Sequence, residues 1–341
     1  MPMRRSRATM SAAALLLAAA PLLTAACADA GYGDEAQETA TNRRLRIAFF
    51  GFAKSSSVAS AAFAGVQDYA KAVNATAEFI DPNFDPQTQL HQIQDAIASK
   101  HFNVFIVQAN DGTTILPGIR SAVQAGITVV IQHAPVGPRY DTAKPQVDGT
   151  ITLVDVPTHN GTTLASLAID ACQTEKLAPC NVAYLSGLST SPADKARTKA
   201  AANKLKTADN VRLVAQLEGG HTTDSGRKAM QELLRREPNV HVVIGSPQAI
   251  TGAETTAKNK KILYIANGAS RQTVRAVQQD RWHAAYYLPI RTLGARAAEL
   301  GLAKARGKKV PTATDMTDHR PDRSMGTKGV LSDVTGEYDD E

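Results

Sequence analysis

The chain has 341 residues, 43% of them hydrophobic and 21% charged, with 23 Gly and 16 Pro. Such a composition is globular and long enough for two domains with substantial cores, and three cysteines exclude a disulfide-scaffold miniprotein and a multi-cysteine zinc module. Half of the formal +6 charge belongs to Arg4, Arg5 and Arg7, so the rest of the chain is too weakly basic to indicate a nucleic-acid partner.

Residues 1–26 read as an export signal. The three arginines form a positive start, Ser11–Ala20 a short apolar run, and Pro21 breaks it before it is long enough to span a membrane. Cys27 follows Leu23-Thr24-Ala25-Ala26 and sits where a bacterial lipoprotein is cut and acylated, although Thr24 replaces the usual Leu. Ala28-Asp29-Ala30 is also a site for ordinary signal cleavage, so both processing routes stay open. Residues 27–44 are polar and aperiodic, and read as a flexible tether.

From Arg46 onward, short apolar runs alternate with amphipathic stretches. The spacing predicts strands at Arg46–Phe52, Ala77–Ile80, Val104–Gln108 and Ile127–Gln132, with helices at Val58–Val73, Gln87–Ser99 and Ile115–Ala125 between them. The pattern recurs with strands at Ile151–Val154, Asn181–Leu185, Val211–Leu217, Val240–Gly245, Ile262–Ala266 and Ala284–Tyr287. The intervening helices fall at Gly161–Cys172, Asp194–Lys206, Gly226–Arg236, Ala249–Ala257 and Arg271–Gln279, and Pro289–Arg306 forms a long closing helix. Continuous apolar strands in repeated βα units mean doubly wound α/β, and two such series mean two lobes. Residues 326–341, ending Tyr338-Asp339-Asp340-Glu341, read as a disordered acidic tail. Cys172 and Cys180 flank a helix-to-strand loop, where an exported protein is able to form a disulfide.

No enzyme signature is present. The chain lacks G-x-G-x-x-G after a strand, a phosphate-binding G-x-x-x-x-G-K-[ST], H-E-x-x-H and G-x-S-x-G, and its histidines form no i, i+4 pair. Neither a catalytic set, a metal nor a cofactor is expected. In doubly wound folds ligands bind beyond the carboxyl ends of the strands. That edge collects Ser55-Ser56-Ser57, Gln132-His133, Ser246-Pro247-Gln248, Asn267-Gly268 and Tyr286-Tyr287, each of which also suits a plain cap or turn.

The order of elements from Arg46 to about Thr317 resembles the ribose-binding-protein type of periplasmic substrate-binding protein, which serves sugar ABC importers and shares its fold with lactose-repressor-type effector domains. The likeness lies in Ile47–Gly65 (IAFFGFAKSSSVASAAFAG), Asp81-Pro82-Asn83, Val104–Asp111 (VFIVQAND), Ala125–Ile131 (AGITVVI), Ile262–Gly268 (ILYIANG) and Leu288-Pro289 before Leu293-Gly294. It implies a type I periplasmic binding protein: two doubly wound parallel-sheet lobes joined by a three-crossing hinge, placed near Val154–Val156, Leu288–Pro289 and Lys309–Thr312. The first lobe is then 44–154 plus 290–309, and the second 155–288 plus 310–325.

The resemblance also implies a ligand set. Ser56, with Ser57 beside it, stands where the family has an Asn, and Val58 and Ala59 where it has two stacking aromatics. The family's Asp-Arg pair falls near His133-Ala134, its second-lobe Arg at Lys195, and a ring-facing Phe near His221. Its binding Asn, Asp and Gln become Ser246, Asn267 and Tyr287. This set has lost its acids, so it fits an acidic or acceptor-rich ligand at least as well as a sugar. The implied role is capture of a small polar, sugar-like ligand by a monomer, exported to the cell envelope and either lipid-anchored on the outer face of the cytoplasmic membrane or periplasmic. An ABC permease is the implied partner, and the lipid anchor the sole membrane attachment. Ligand sensing for a membrane receptor or kinase is the alternative.

Overall fold

The computed structural model describes residues 44–258, 260–319 and 325–340. The export signal, Cys27 and nearly all of the tether lie outside the described residues. The first lobe starts with β1 (Arg46–Phe50), α1 (Ser57–Ala72), β2 (Thr76–Ile80), α2 (Pro86–Ser99), β3 (Val104–Val107), α3 (Leu116–Gln124), β4 (Thr128–His133) and β5 (Ile151–Val154). All of these strands pair in parallel. Central strands must be apolar on both faces, because helices cover both. Accordingly Ile47, Phe49, Val104 and Ile106 enter one core, while Ala48, Phe50, Phe105 and Val107 enter the other. Val107 is paired with Ile131, which brings the next residues, Gln108 and Gln132, side by side at the carboxyl end of the sheet.

The second lobe contains α4 (Pro157–Thr174), β6 (Cys180–Ser186), α5 (Pro192–Leu205), β7 (Val211–Glu218), α6 (Thr223–Arg236), β8 (Val242–Gly245), α7 (Pro247–Thr256), β9 (Leu263–Ala266), α8 (Arg271–Gln278) and β10 (Ala284–Tyr286). The chain then returns through α9 (Ile290–Ala305) to the first lobe, where α9 packs on α1. Glycine makes that contact possible. A Cβ on Gly65 would lie 1.9 Å from the Arg291 carbonyl oxygen, and one on Gly294 would lie 2.0 Å from that of Ala62.

Two short strands finish the sheets. β11 (Ala313–Asp315) pairs in parallel with β5, and β12 (Met325–Thr327) pairs antiparallel with β10. The strand orders are β11-β5-β4-β3-β1-β2 and β12-β10-β9-β8-β6-β7. The protein is therefore two doubly wound α/β lobes, with passages between β5 and α4, between β10 and α9, and between β11 and β12.

Two expectations are corrected. The third passage does not lie at Lys309–Thr312, and residues 310–315 do not join the second lobe. The Thr312 carbonyl accepts from Thr152 N at 2.9 Å, and Ala313–Asp315 extend the first sheet. A polar three-residue edge strand carries no apolar signal to find it by. The disordered acidic tail is also overturned for residues 326–340. Gly326 and Thr327 belong to β12, and Leu331, Val334 and Tyr338 are buried. The acids that suggested disorder have partners: Glu337 accepts from Thr292, Asp339 from Arg271 and Asp340 from Ser270. Cys172 and Cys180 are disulfide-bonded, with a Cα–Cα distance of 5.8 Å.

Candidate ligand cleft

The carboxyl ends of the two sheets meet at the first two passages, around Asp155. This residue follows β5 and is 4% exposed. Its Oδ1 accepts from Tyr286 Oη at 2.7 Å, and its Oδ2 from Asn160 Nδ2 at 2.8 Å. Tyr286 ends β10, so this hydrogen bond ties one passage to another. Asn160, on α4, also donates to Asn267 Oδ1 at 2.9 Å. Arg197 comes from α5, with Nη2 3.9 Å from Asp155 Oδ2 and Nη1 donating to Asp194 Oδ1.

Asp194 is the hub of the second lobe's contribution. It lies in the first turn of α5, where a negative charge is favoured. Its Oδ2 accepts from Leu188 N at 3.0 Å and from His221 Nε2 at 3.3 Å. Burial works to raise its pKa, but the His221 hydrogen bond and the Arg197 charge outweigh it and hold the carboxyl at about 2. Burial alone would lower the Arg197 pKa, and its two carboxylate neighbours reverse that shift.

The first lobe contributes uncharged groups. Gln108 Nε2 donates to Gln132 Oε1 at 2.6 Å, and both side chains are fully buried. His133 ends β4 with φ of +70°, an uncommon conformation for a non-glycine residue. Its ring packs edge-on against Phe52, 5.6 Å between centroids. Burial lowers its pKa, opposed by Asp155 and reinforced by Arg197, so the imidazole is neutral.

Buried polar atoms are normally hydrogen-bonded, because leaving one unpaired costs about 1–3 kcal/mol. Among the described residues eight buried side-chain polar atoms lack a partner, and five of them belong to this cluster: Gln108 Oε1, Gln132 Nε2, His133 Nδ1, Asn160 Oδ1 and Arg197 Nε. Donors and acceptors alternate in that set, as recognition of hydroxyl groups requires.

The candidate residues named from sequence divide. His133 and Asn267 lie in the cluster, and His221 joins it through Asp194. Ser56 caps α1, its Oγ accepting from Ala59 N at 3.3 Å, and Ser57 opens that helix. Ser246 caps α7 and donates to the Gly220 carbonyl, so its hydroxyl is used structurally. Tyr287 is buried in the second-lobe core, and Tyr286 is the tyrosine at the cleft. Lys195 is exposed and lines a groove of about 420 Å³ along α5 with Lys199 and Lys206. The buried stripe of α5 runs through Asp194, Ala201 and Leu205, which puts Arg197 on the inner side and Lys195 outside. Helical phase was the available signal for Arg197. Nothing local marked Asp155 or Asn160. No group of three or more His, Cys, Asp or Glu among the described residues is placed to hold a metal ion, and no described helix is long and apolar enough to cross a membrane.

Residues 47–309 match the family model for the periplasmic binding protein domain. No curated protein matches the chain in sequence. Solved structures that it resembles include a glycerol-bound ABC transporter solute-binding protein from Mycobacterium smegmatis (TM-score 0.71, 20% identity, 88% of this chain and 100% of that one). Another Mycobacterium smegmatis protein, in complex with β-D-fucofuranose, gives a TM-score of 0.69 at 19% identity over 85% of this chain and 98% of that one. A periplasmic solute-binding protein from Actinobacillus succinogenes with bound D-allose gives 0.69 at 16% identity over 80% and 95%. At these identities the likeness is one of fold.

Proposed function

Because the chain belongs to the periplasmic binding protein family, we propose that it is an exported solute-binding protein that captures a small polar ligand, a sugar or sugar derivative, between its lobes and delivers it to an ABC importer. The observation that carries this reading is the gathering of unpartnered buried polar atoms, from strand ends of the first lobe and from helices of the second. A ligand that satisfies atoms of both lobes at once favours the closed arrangement over the open one, and a permease that recognises closure receives only loaded protein. Removal of residues 1–26 and acylation of Cys27 belong to the same proposal, since a tethered binder stays near its importer. The reading assigns no bond-breaking step to any residue.

The test is a thermal-shift screen of the mature protein against sugars, polyols, sugar acids, amino sugars and nucleosides. A ligand at about 1,000 times its dissociation constant adds about 4 kcal/mol, a melting shift on the order of 8 °C for a chain of this size. A shift confined to one chemical class is the expected result. No shift across the panel overturns the sugar assignment.

A further inference from the structure

Arg197 is the one cation that reaches the interior of the cleft among the described residues, and it is already paired on both sides. The other basic groups near the strand ends point elsewhere, and His159, next to Asn160 on α4, is paired with Asp315. Lys54 lies 5.9 Å over the Phe79 ring, Lys195 is exposed on the outer side of α5, and His133 is neutral. His221, half exposed, is turned to Asp194. Two carboxylates, Asp155 and Asp194, therefore face one guanidinium.

We propose that Asp194 is a specificity-determining residue: by sharing Arg197 with Asp155, it leaves the cleft no free positive charge and so selects uncharged ligands against anionic ones. The proposal rests on the cleft being the ligand site. It reverses the expectation, raised by the sequence, that the site suits an acidic ligand.

Geometry supports the role. The Asp194 carboxylate is held from several directions, by Leu188 N, by His221 Nε2 and by Arg197 itself. Gly187 makes room for it, because a Cβ there would fall 2.3 Å from Asp194 Oδ2. A ligand carboxylate therefore faces a fixed competitor of the same charge. Arg197 Nε is left without a partner, and Nη2 has only the 3.9 Å ion pair with Asp155. One N–H serves a hydroxyl or ring oxygen. A ligand carboxylate that gripped Nε together with Nη2 would have to draw Nη2 away from Asp155 and lie beside the fixed charge of Asp194. The nearby free acceptors, Asn160 Oδ1 and Gln108 Oε1, likewise ask for hydroxyl donors and repel an anion.

Galactose and galacturonate differ by one carboxylate and serve as probes, titrated by calorimetry into wild type, Asp194→Asn and Asp194→Glu. The expected result is that wild type binds galacturonate more weakly than galactose or not at all. Asp194→Asn gains affinity for galacturonate by about tenfold or more, the scale of a buried charge contact released to a ligand. Asp194→Glu restores the exclusion, and adding Arg197→Gln to Asp194→Asn abolishes the gain. The proposal is overturned if wild type binds galacturonate as tightly as galactose, or if Asp194→Asn, folded by circular dichroism, gains nothing. Should Asp194→Asn not fold, wild type decides through galactose–galacturonate and glucose–glucuronate pairs: an acid bound as tightly as its neutral partner overturns the proposal, and an acid bound more weakly than a neutral partner that binds upholds it. Failure of the capture reading looks different, because wild type then binds no neutral compound of the wider panel whatever Asp194→Asn does with galacturonate.

Discussion

The two lobes share an architecture but furnish the cleft by different means. The first lobe offers neutral groups on strand ends: the Gln108–Gln132 amide pair and an imidazole kept uncharged by burial. The second offers charge from a helix, with Arg197 bonded to Asp194 inside one turn of α5. A strand end fixes direction with little freedom, which suits hydroxyl recognition by amides. A helix places i and i+3 side chains together, which lets a cation carry its own counter-ion. The difference teaches that, if the proposed cleft holds the ligand, one side would select by hydrogen-bond pattern and the other by charge.

That contrast can be broken most sharply at Arg197. Arg197→Ala leaves two buried carboxylates facing each other without their cation, and the expected loss of stability is about 3–5 kcal/mol, read from urea denaturation. A loss under about 1 kcal/mol would mean that the charged side is no more demanding than the neutral one.

Acid titration comes next, and here Asp194 and His133 act in separate windows. Asp194 has a folded pKa of about 2 against an ordinary 3.8. Its stabilisation is fully present above about pH 4 and is lost as pH falls toward 2, an amount on the order of 2 kcal/mol. Asp194→Asn should flatten that part of the stability–pH curve. His133 also has a depressed pKa, below 6.5. The unfolded chain takes up this proton first, so stability declines as pH falls below 6.5, and His133→Gln should lessen that decline, to which the buried His283 also contributes.

Smaller still is the effect of Gln132→Ala. It deprives Gln108 Nε2 of its acceptor inside the sheet edge, at a cost of about 1–2 kcal/mol. Ligand affinity should fall by about tenfold beside it, since Gln132 Nε2 is one of the free donors. Unchanged affinity would place the ligand on the second lobe only.

How much of this was legible in the sequence follows from the same physics. The long inner strands declared themselves because burial on both faces demands continuous apolar runs, as in Val104–Val107 and Val242–Gly245. The three-residue strands Ala313–Asp315 and Met325–Thr327 had no room for a pattern. Residues after 327 read as frayed on their acids, because the apolar anchors Leu331, Val334 and Tyr338 are too sparse to form a periodic pattern. In the cluster, His133 and Asn267 follow strands, so the strand pattern alone places them at that edge. Lys195 is exposed, and Arg197, two residues and about half a helical turn away, enters the cluster. Tyr286, the last residue of its strand, bonds Asp155, while Tyr287, the next residue, joins the second-lobe core. Asp155 and Asn160 act through partners far away in sequence, Tyr286 and Asn267. Only the folded chain brings such pairs together.

The central claim is that one ligand engages both lobes in the cleft. Hydrogen–deuterium exchange of the protein, with and without the compound that shifts its melting temperature, tests this most directly. The account predicts slowed exchange in both lobes at once: around Gln108 and Gln132–His133 in the first, and around Asp194–Arg197 and Asn267 in the second. Protection confined to one lobe, or gathered along the outer groove beside Lys195 and Lys206, would contradict it.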